Sequence, residues 1–178
     1  MSVSVIIPTL NMARFLPDAI ASIARQDRAV TEVIIIDGGS TDATIDVVER
    51  HKKAGVPIRL LQIAQAGPGV ARNMGITAAK GDLIAFLDAD DLWPEGKLAR
   101  QLDYLDAFPG KGMVSGSVRY FDLLDPVKLT PAAGSRIAVL FHVHLGACIY
   151  RKAVLDRIGA FDESFLYAED VDLLLRLR

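Results

Sequence analysis

The chain has 178 residues, 51 % of them hydrophobic and 24 % charged, the size and balance of one folded domain, which excludes a disordered, collagen-like or low-complexity chain. Twenty basic side chains against 22 acidic ones give a net charge of -2 without a basic block, so the whole-chain charge suggests no capture of nucleic acid or of an acidic membrane surface. The single cysteine, Cys148, excludes an intrachain disulfide and a Cys-rich zinc site, and with no apolar run of membrane-spanning length and no secretory signal the default compartment is cytoplasmic.

Val3 to Pro8 is a β-branched run closed by proline, the pattern of a strand buried on both faces. Leu16, Ile20 and Ile23 follow at helical spacing. Glu32 to Asp37 reads as a second buried strand, Gly38-Gly39 as a turn, Ser40 as an N-cap and 41–51 as a second helix. Ile58 to Ile63 gives a third strand, Gly69 to Ala79 a third helix, Asp82 to Leu87 a fourth strand ending in acids, and Lys97 to Phe108 an amphipathic helix. Strands alternating with helices require βαβ crossovers, so the expected class is α/β with a mostly parallel sheet covered on both faces. Beyond Pro109-Gly110 the pattern loosens. Met113 to Tyr120 and Ala147 to Tyr150 read as strands, 124–136 as a loop, and Glu169 to Arg178 as a helix without a Gly or Asn C-cap, so the chain reads as truncated inside a helix.

Ligands of open parallel sheets bind beyond the carboxyl ends of the strands, where the strand order reverses. The residues expected there are Pro8-Thr9, Asp37 and Asp88-Ala89-Asp90-Asp91. Asp88 and Asp90 follow the apolar run 83–87, where unpaired charge is costly. A divalent cation that prefers oxygen ligands, Mg²⁺ or Mn²⁺, would remove that cost and hold substrate phosphates; pairing with Arg72, Lys97 or Arg100 is the plainer solution. The dinucleotide fingerprint is absent, since Pro8-Thr9-Leu10-Asn11 follows the first strand and Gly67-Pro68-Gly69 is followed by Arg72 where a third glycine belongs. No P-loop string occurs.

Five ordered segments resemble the motifs of family 2 glycosyltransferases: Val5-Ile6-Ile7-Pro8-Thr9 with Asn11, Ile36 to Asp42, Ala71-Arg72-Asn73 with Gly75, Phe86 to Asp91, and Glu169-Asp170 with Asp172. The resemblance implies a GT-A-like three-layer α/β sandwich with a Rossmann-like nucleotide-binding first half. One catalytic domain would cover 1–178, with 1–108 binding the nucleotide-sugar and 109–178 forming the acceptor side. It implies a hexosyltransferase-type enzyme that moves a sugar from a nucleotide-diphospho-sugar, UDP- or dTDP-linked, to a carbohydrate or glycolipid acceptor, with inversion and a divalent cation. Pro8, Thr9, Asp37, Arg72 and Asp88 match donor-nucleotide positions and Asp90 the metal ligand. Asp170 matches the general base, with Glu169 as second choice. Gly38 stands where many relatives carry a second acid, which removes one supporting contact. Nucleic acid is not an expected partner, and attachment to the cytoplasmic face of a membrane is left to segments outside this sequence.

The remaining signals are weaker. His142 and His144 could share a strand face but show no third ligand nearby in sequence; Trp93 could stack on a sugar or pack in the core; Cys148 reads as a small buried apolar residue. Gly146-Ala147-Cys148 fits close approach of an acceptor or tight strand packing. The rival functions are a sugar-nucleotide nucleotidyltransferase, which would need a basic glycine-rich loop after the first strand, and a non-catalytic sugar-nucleotide-binding domain.

Overall fold

The computed structural model describes residues 1–178 apart from Gln65, Val143, Leu166 and Arg178. β1 (Val3–Thr9), β2 (Glu32–Asp37), β3 (Ile58–Gln62) and β4 (Leu83–Phe86) run parallel. They are joined by α1 (Leu16–Ala24), α2 (Thr44–Lys53) and α3 (Pro68–Ala78), and α4 (Lys97–Ala107) follows β4. The second half contributes β5 (Met113–Ser115), β6 (Val118–Phe121), β7 (Leu124–Asp125), β8 (Thr130–Pro131), β9 (Ile137–Leu140) and β10 (Cys148–Arg151), then α5 (Lys152–Ile158) and α6 (Glu169–Leu175).

Among the described residues the main sheet has six strands in the order β3-β2-β1-β4-β10-β5. β10 is antiparallel to both its neighbours, which makes the sheet mostly parallel. The chain steps outward from β1 to β2 and β3, then crosses back to β4 on the other side of β1. The crevice beyond the carboxyl ends of β1 and β4 is therefore the topological switch point.

Side chains alternate across a strand, and here both faces are apolar. Val3, Val5, Ile7, Val33 and Ile35 pack with α1, α2 and α4 through Leu16, Ile20, Val48 and Leu98. Ile6, Ile34 and Ile36 pack on the opposite face with Ile76 of α3, Leu155 of α5 and Leu173 of α6. The result is the expected three-layer sandwich. α3 lies close to the sheet because Gly75 has no side chain: a Cβ there would stand 2.5 Å from Ile6 Cγ2 and 3.1 Å from Ile36 Cδ1. At the amino-terminal end of the sheet, buried Glu32 accepts hydrogen bonds from Ser4 Oγ, Arg59 Nη1 and the Lys80 N–H, each at 2.7 Å. Burial pushes its carboxyl pKa up, but these three donors and the Arg59 charge outweigh it and hold the group below its ordinary range.

Several expectations change. The second helix opens at Thr44 with Ala43 at its cap, not at 41 with Ser40, because the residues between are drawn into side-chain bonds with the loop after β1. The run 113–120 breaks at Gly116-Ser117 into β5 and β6, which join different sheets. The segment 124–136 holds β7 and β8, and β9 and α5 had no counterpart in the sequence reading. The last helix does not run to 178: α6 ends at Leu175, where Arg176 turns back to Asp172 (2.8 Å) and to the carbonyls of Ile158 and Ala160 (both 2.8 Å). Among the described residues no helix is long and apolar enough to cross a membrane.

Candidate functional site

Two turns meet at the switch point and are stapled together. Asn11, just past β1, adopts a left-handed φ of 55°, and its Oδ1 accepts from the N–H groups of Thr41 (2.8 Å) and Asp42 (3.3 Å). In the other direction Ser40 Oγ accepts from the Asn11 N–H (2.8 Å), Thr44 Oγ1 from Met12 (2.9 Å) and Asp42 Oδ2 from Ala13 (3.1 Å). The polar residues of the first two motifs are thus the mutual support of the loops after β1 and β2. Asp37 is fully buried at the end of β2. Its carboxylate accepts from the Gly39 and Ser40 N–H groups (3.1 Å each) and from Ser40 Oγ. The oxygens of Asp37 therefore hold the turn itself. Thr9 is different: its hydroxyl is buried at the end of β1 with no hydrogen-bond partner among the described residues, and a buried orphan at a switch point is an opening for a ligand group. Pro8, half-buried, precedes it on the same strand.

Arg72 is the hub. It is only 6 % exposed, projecting from α3, and its forked guanidinium reaches two carboxylates. Nη2 donates to Asp88 Oδ1 at 2.9 Å, and Nη1 donates to Glu169 Oε1. The guanidinium Cζ lies over the Phe161 ring, 5.6 Å from the centroid. Glu169 is itself buried, at 7 % exposure, so this is a desolvated ion pair whose two members depend on each other. Asn73, the next residue, locks the same segment: its Oδ1 accepts from the Phe161 N–H and its Nδ2 donates to the Phe161 carbonyl, both at 2.8 Å. The Arg-Asn pair on α3 thereby fastens Phe161 and Glu169, the first residue of α6, to the third helix.

Beyond β4, Asp88, Asp91 and His144 bring one ligand atom each within 4.8 Å of one another. Although its residue is exposed, the Asp91 carboxyl is pushed above its ordinary pKa by partial desolvation and by the charges of Asp88 and Asp90, with His144 acting in the opposite sense. Two carboxylates that repel each other beside an imidazole form a donor set suited to a divalent metal such as Mn²⁺. His144 Nδ1 accepts from the Gly146 N–H at 3.2 Å, which fixes the ring. Asp90 and Asp91 are both exposed, and Asp90 lies outside this trio. In α6, Asp170 is half-buried and its Oδ1 accepts from the Val171 N–H at 2.9 Å. Beside it, the Tyr150 hydroxyl is buried with no partner among the described residues, and its pKa is driven up by burial, by Cys148 and by the Asp170 charge.

The structure therefore gathers Thr9, Arg72, Asp88 and Glu169 at one crevice, gives Asp37 an inward bonding role, and sets Asp91 instead of Asp90 beside Asp88. The ion pair weighed for the acid cluster exists for Asp88 with Arg72; Lys97 donates instead to Gln101, and Arg100 to the Glu95 carbonyl. Trp93 is buried, under the Lys97 amine 4.2 Å from the ring centroid, so it packs and does not offer a sugar-stacking face. Asp91 and His144 were missed as a set. His144 was visible in the sequence, but its companions lie far earlier in the chain, and only the fold joins them. Cys148 is buried, as read.

The sequence profile described as Glycosyl transferase family 2 matches residues 4–159. An uncharacterized glycosyltransferase of Nostoc sp. is 39 % identical over 126 residues, covering 70 % of this chain and 38 % of that protein. The crystal structure of S. aureus TarS 1-349 in complex with UDP is similar at a TM-score of 0.71 and 25 % identity, covering 96 % of this chain and 53 % of that one. The mannosyltransferase PcManGT from Pyrobaculum calidifontis, in complex with GDP-Man and Mn2+, is similar at a TM-score of 0.71 and 26 % identity, covering 90 % of this chain and 47 % of that one. The chain spans well under two thirds of the length of each.

Proposed function

Because the chain belongs to glycosyltransferase family 2 and has the GT-A α/β fold of its neighbours, we propose that it transfers a sugar with inversion from a uridine or deoxythymidine diphospho-sugar to an acceptor hydroxyl. The observation that carries this reading is the double ion pair of Arg72, which ties Asp88 at the end of β4 to Glu169 at the start of α6. It brings Asp88 and Glu169 together although they are far apart in the chain, which supports a shared site for the last two motifs.

In this reading Thr9 supplies its unpartnered hydroxyl to the nucleoside, Pro8 walls the same strand end, and Asp37 shapes the turn beneath it. Arg72 holds Asp88 towards the ribose side. Asp170 is the general base because Glu169 is buried in its pair with Arg72, whereas Asp170 is half-exposed and, among the described residues, joined only to its neighbour's N–H. It takes the proton of the acceptor hydroxyl as that oxygen bonds to the anomeric carbon and the bond to the nucleoside diphosphate breaks. Asp88, Asp91 and His144 would hold the divalent cation, with Asp90 as the further ligand that the family motif implies. When bound, the cation supplies charge neutralisation for the departing diphosphate. The uridine preference rests on the UDP complex of the TarS neighbour, and the metal on the Mn2+ complex of PcManGT.

Thermal unfolding in the presence of UDP, dTDP or GDP, with and without Mn²⁺, tests the donor, since a ligand bound only by the native state raises its stability. UDP or dTDP with Mn²⁺ is expected to raise the midpoint, and release of UDP from UDP-GlcNAc or another UDP-sugar is expected to follow. A response to GDP alone would move the donor to a guanosine sugar; no response to any nucleotide would overturn the reading. Binding without release would favour a sugar-nucleotide-binding domain.

A further inference from the structure

The cluster of Asp88, Asp91 and His144 is built from two arms of the chain that meet only in the fold, the turn 88–91 after β4 and the turn 144–147 before β10. Each turn is tied within itself. The Asp91 N–H donates to the Asp88 carbonyl at 3.0 Å and the Ala147 N–H to the His144 carbonyl at 2.9 Å, while the Gly146 N–H donates to His144 Nδ1 at 3.2 Å. Gly146 lets the second turn close on the first, since a Cβ there would stand 3.3 Å from His144 Nδ1 and 3.8 Å from Asp91 Oδ2. None of these bonds runs from one turn to the other.

What runs between them is a chain of side chains through α4. Trp93, two residues past Asp91, is buried, and its N–H donates to Ser22 Oγ at 3.0 Å. The Lys97 amine lies over its ring, 4.2 Å from the centroid. One helical turn on, Gln101 Oε1 accepts from Lys97 Nζ at 2.6 Å, and Gln101 Nε2 donates to the Ala147 carbonyl at 2.7 Å. The Gly116 N–H donates to the same carbonyl at 2.9 Å. Lys97 and Gln101 are 8 % and 7 % exposed, on a helix whose other buried residues are Leu98, Leu102 and Leu105. Burying an amine and an amide in such a layer costs stability that apolar side chains would not. What the polar pair adds is orientation: Lys97 donates, so the amide oxygen faces it and the amide nitrogen is left for Ala147.

We propose that Gln101, held in orientation by Lys97, is a positioning residue that sets His144 against Asp88 and Asp91 and thereby tunes the affinity of that cluster for a divalent cation. The inference rests on the reading of the three residues as cation ligands. Gln101 touches none of them; it acts through the Ala147 carbonyl, in the way that partners behind metal ligands fix their geometry.

Mn²⁺, titrated alone and with UDP and followed by the electron paramagnetic resonance signal of the free ion, tests this without turnover. Gln101→Met is expected to weaken Mn²⁺ binding by about tenfold or more. It should also lose the spin-echo modulation that the His144 nitrogen gives in wild-type protein at saturating Mn²⁺. Gln101→Glu keeps an acceptor for Lys97 and loses only the donor to Ala147; it is expected to weaken binding as Gln101→Met does, with stability nearer the wild type. Glu32→Gln, at the opposite end of the sheet, controls for general loosening: its urea midpoint should fall and its Mn²⁺ affinity should not change. Wild-type protein that binds no Mn²⁺ in either condition, or His144→Ala that binds it as well as wild type, would overturn the cation reading and this inference with it. Weaker binding by His144→Ala with affinity or nitrogen modulation unchanged in both Gln101 variants would overturn the inference alone, as would an equal loss of affinity in Glu32→Gln.

Discussion

At the scale of single residues, the site turns on which acid is occupied. Arg72 offers two terminal nitrogens to two carboxylates, and Glu169 receives one of them in a buried setting. Glu169→Gln removes the negative member of that pair and leaves the guanidinium under-compensated, at a cost of about 3 kcal/mol. The variant should unfold at lower urea, with transfer reduced through misplacement of α6. Asp170→Asn should behave differently: unchanged folding, unchanged affinity for UDP with Mn²⁺, and UDP release in the presence of acceptor slowed by about 10²- to 10⁴-fold. Near-normal transfer by Asp170→Asn would move the base elsewhere. Neighbouring acids in one motif were legible from the sequence, but their division of labour was not, because nothing local to 169–170 reveals that a side chain from α3 claims only the first.

At the scale of elements, α4 shows how a helix can carry a titration. Lys97, at its start, is buried, donates to Gln101 Oε1 at 2.6 Å and lies on the Trp93 ring, while Gln101 Nε2 donates to the Ala147 carbonyl at 2.7 Å. Burial lowers the amine pKa from 10.5 to about 7. Between those values the unfolded chain holds a proton that the native state lacks, so stability rises with pH across that window and the full burial penalty applies below it. Lys97→Met should flatten this rise, measured as urea midpoints at about pH 7 and about pH 9.5. The first four strands were readable because β-branched runs ended at Pro8, Asp37 and Asp88 and alternated with helical periodicity. β9 was not, because Ile137–Leu140 shows neither alternation nor a turn signal that names its partner, and only pairing with β6 makes it a strand. Ser40 misled for a related reason: its hydroxyl, suited to a cap, is used by Asn11 and Asp37 across the loop.

At the scale of the whole molecule, the sandwich and its switch point were legible from the order of strands and helices, whereas the closure of the sheet was not. β10, from late in the chain, lies between β4 and β5, so the strands before and after residue 108 share one sheet. A polypeptide ending at residue 108 would leave β4 as an open edge with unpaired backbone groups. Such a fragment is expected to elute as aggregate on gel filtration, and a monomeric, cooperatively folding one would count against this account. The same insertion bears on synthesis. As the nascent chain leaves the ribosome, β5 has no strand to join until the residues around 150 emerge. Assembly must therefore wait for a wedge delivered late, and a pause or a misstep in translation before that point would strand a half-built sheet in reach of chaperones.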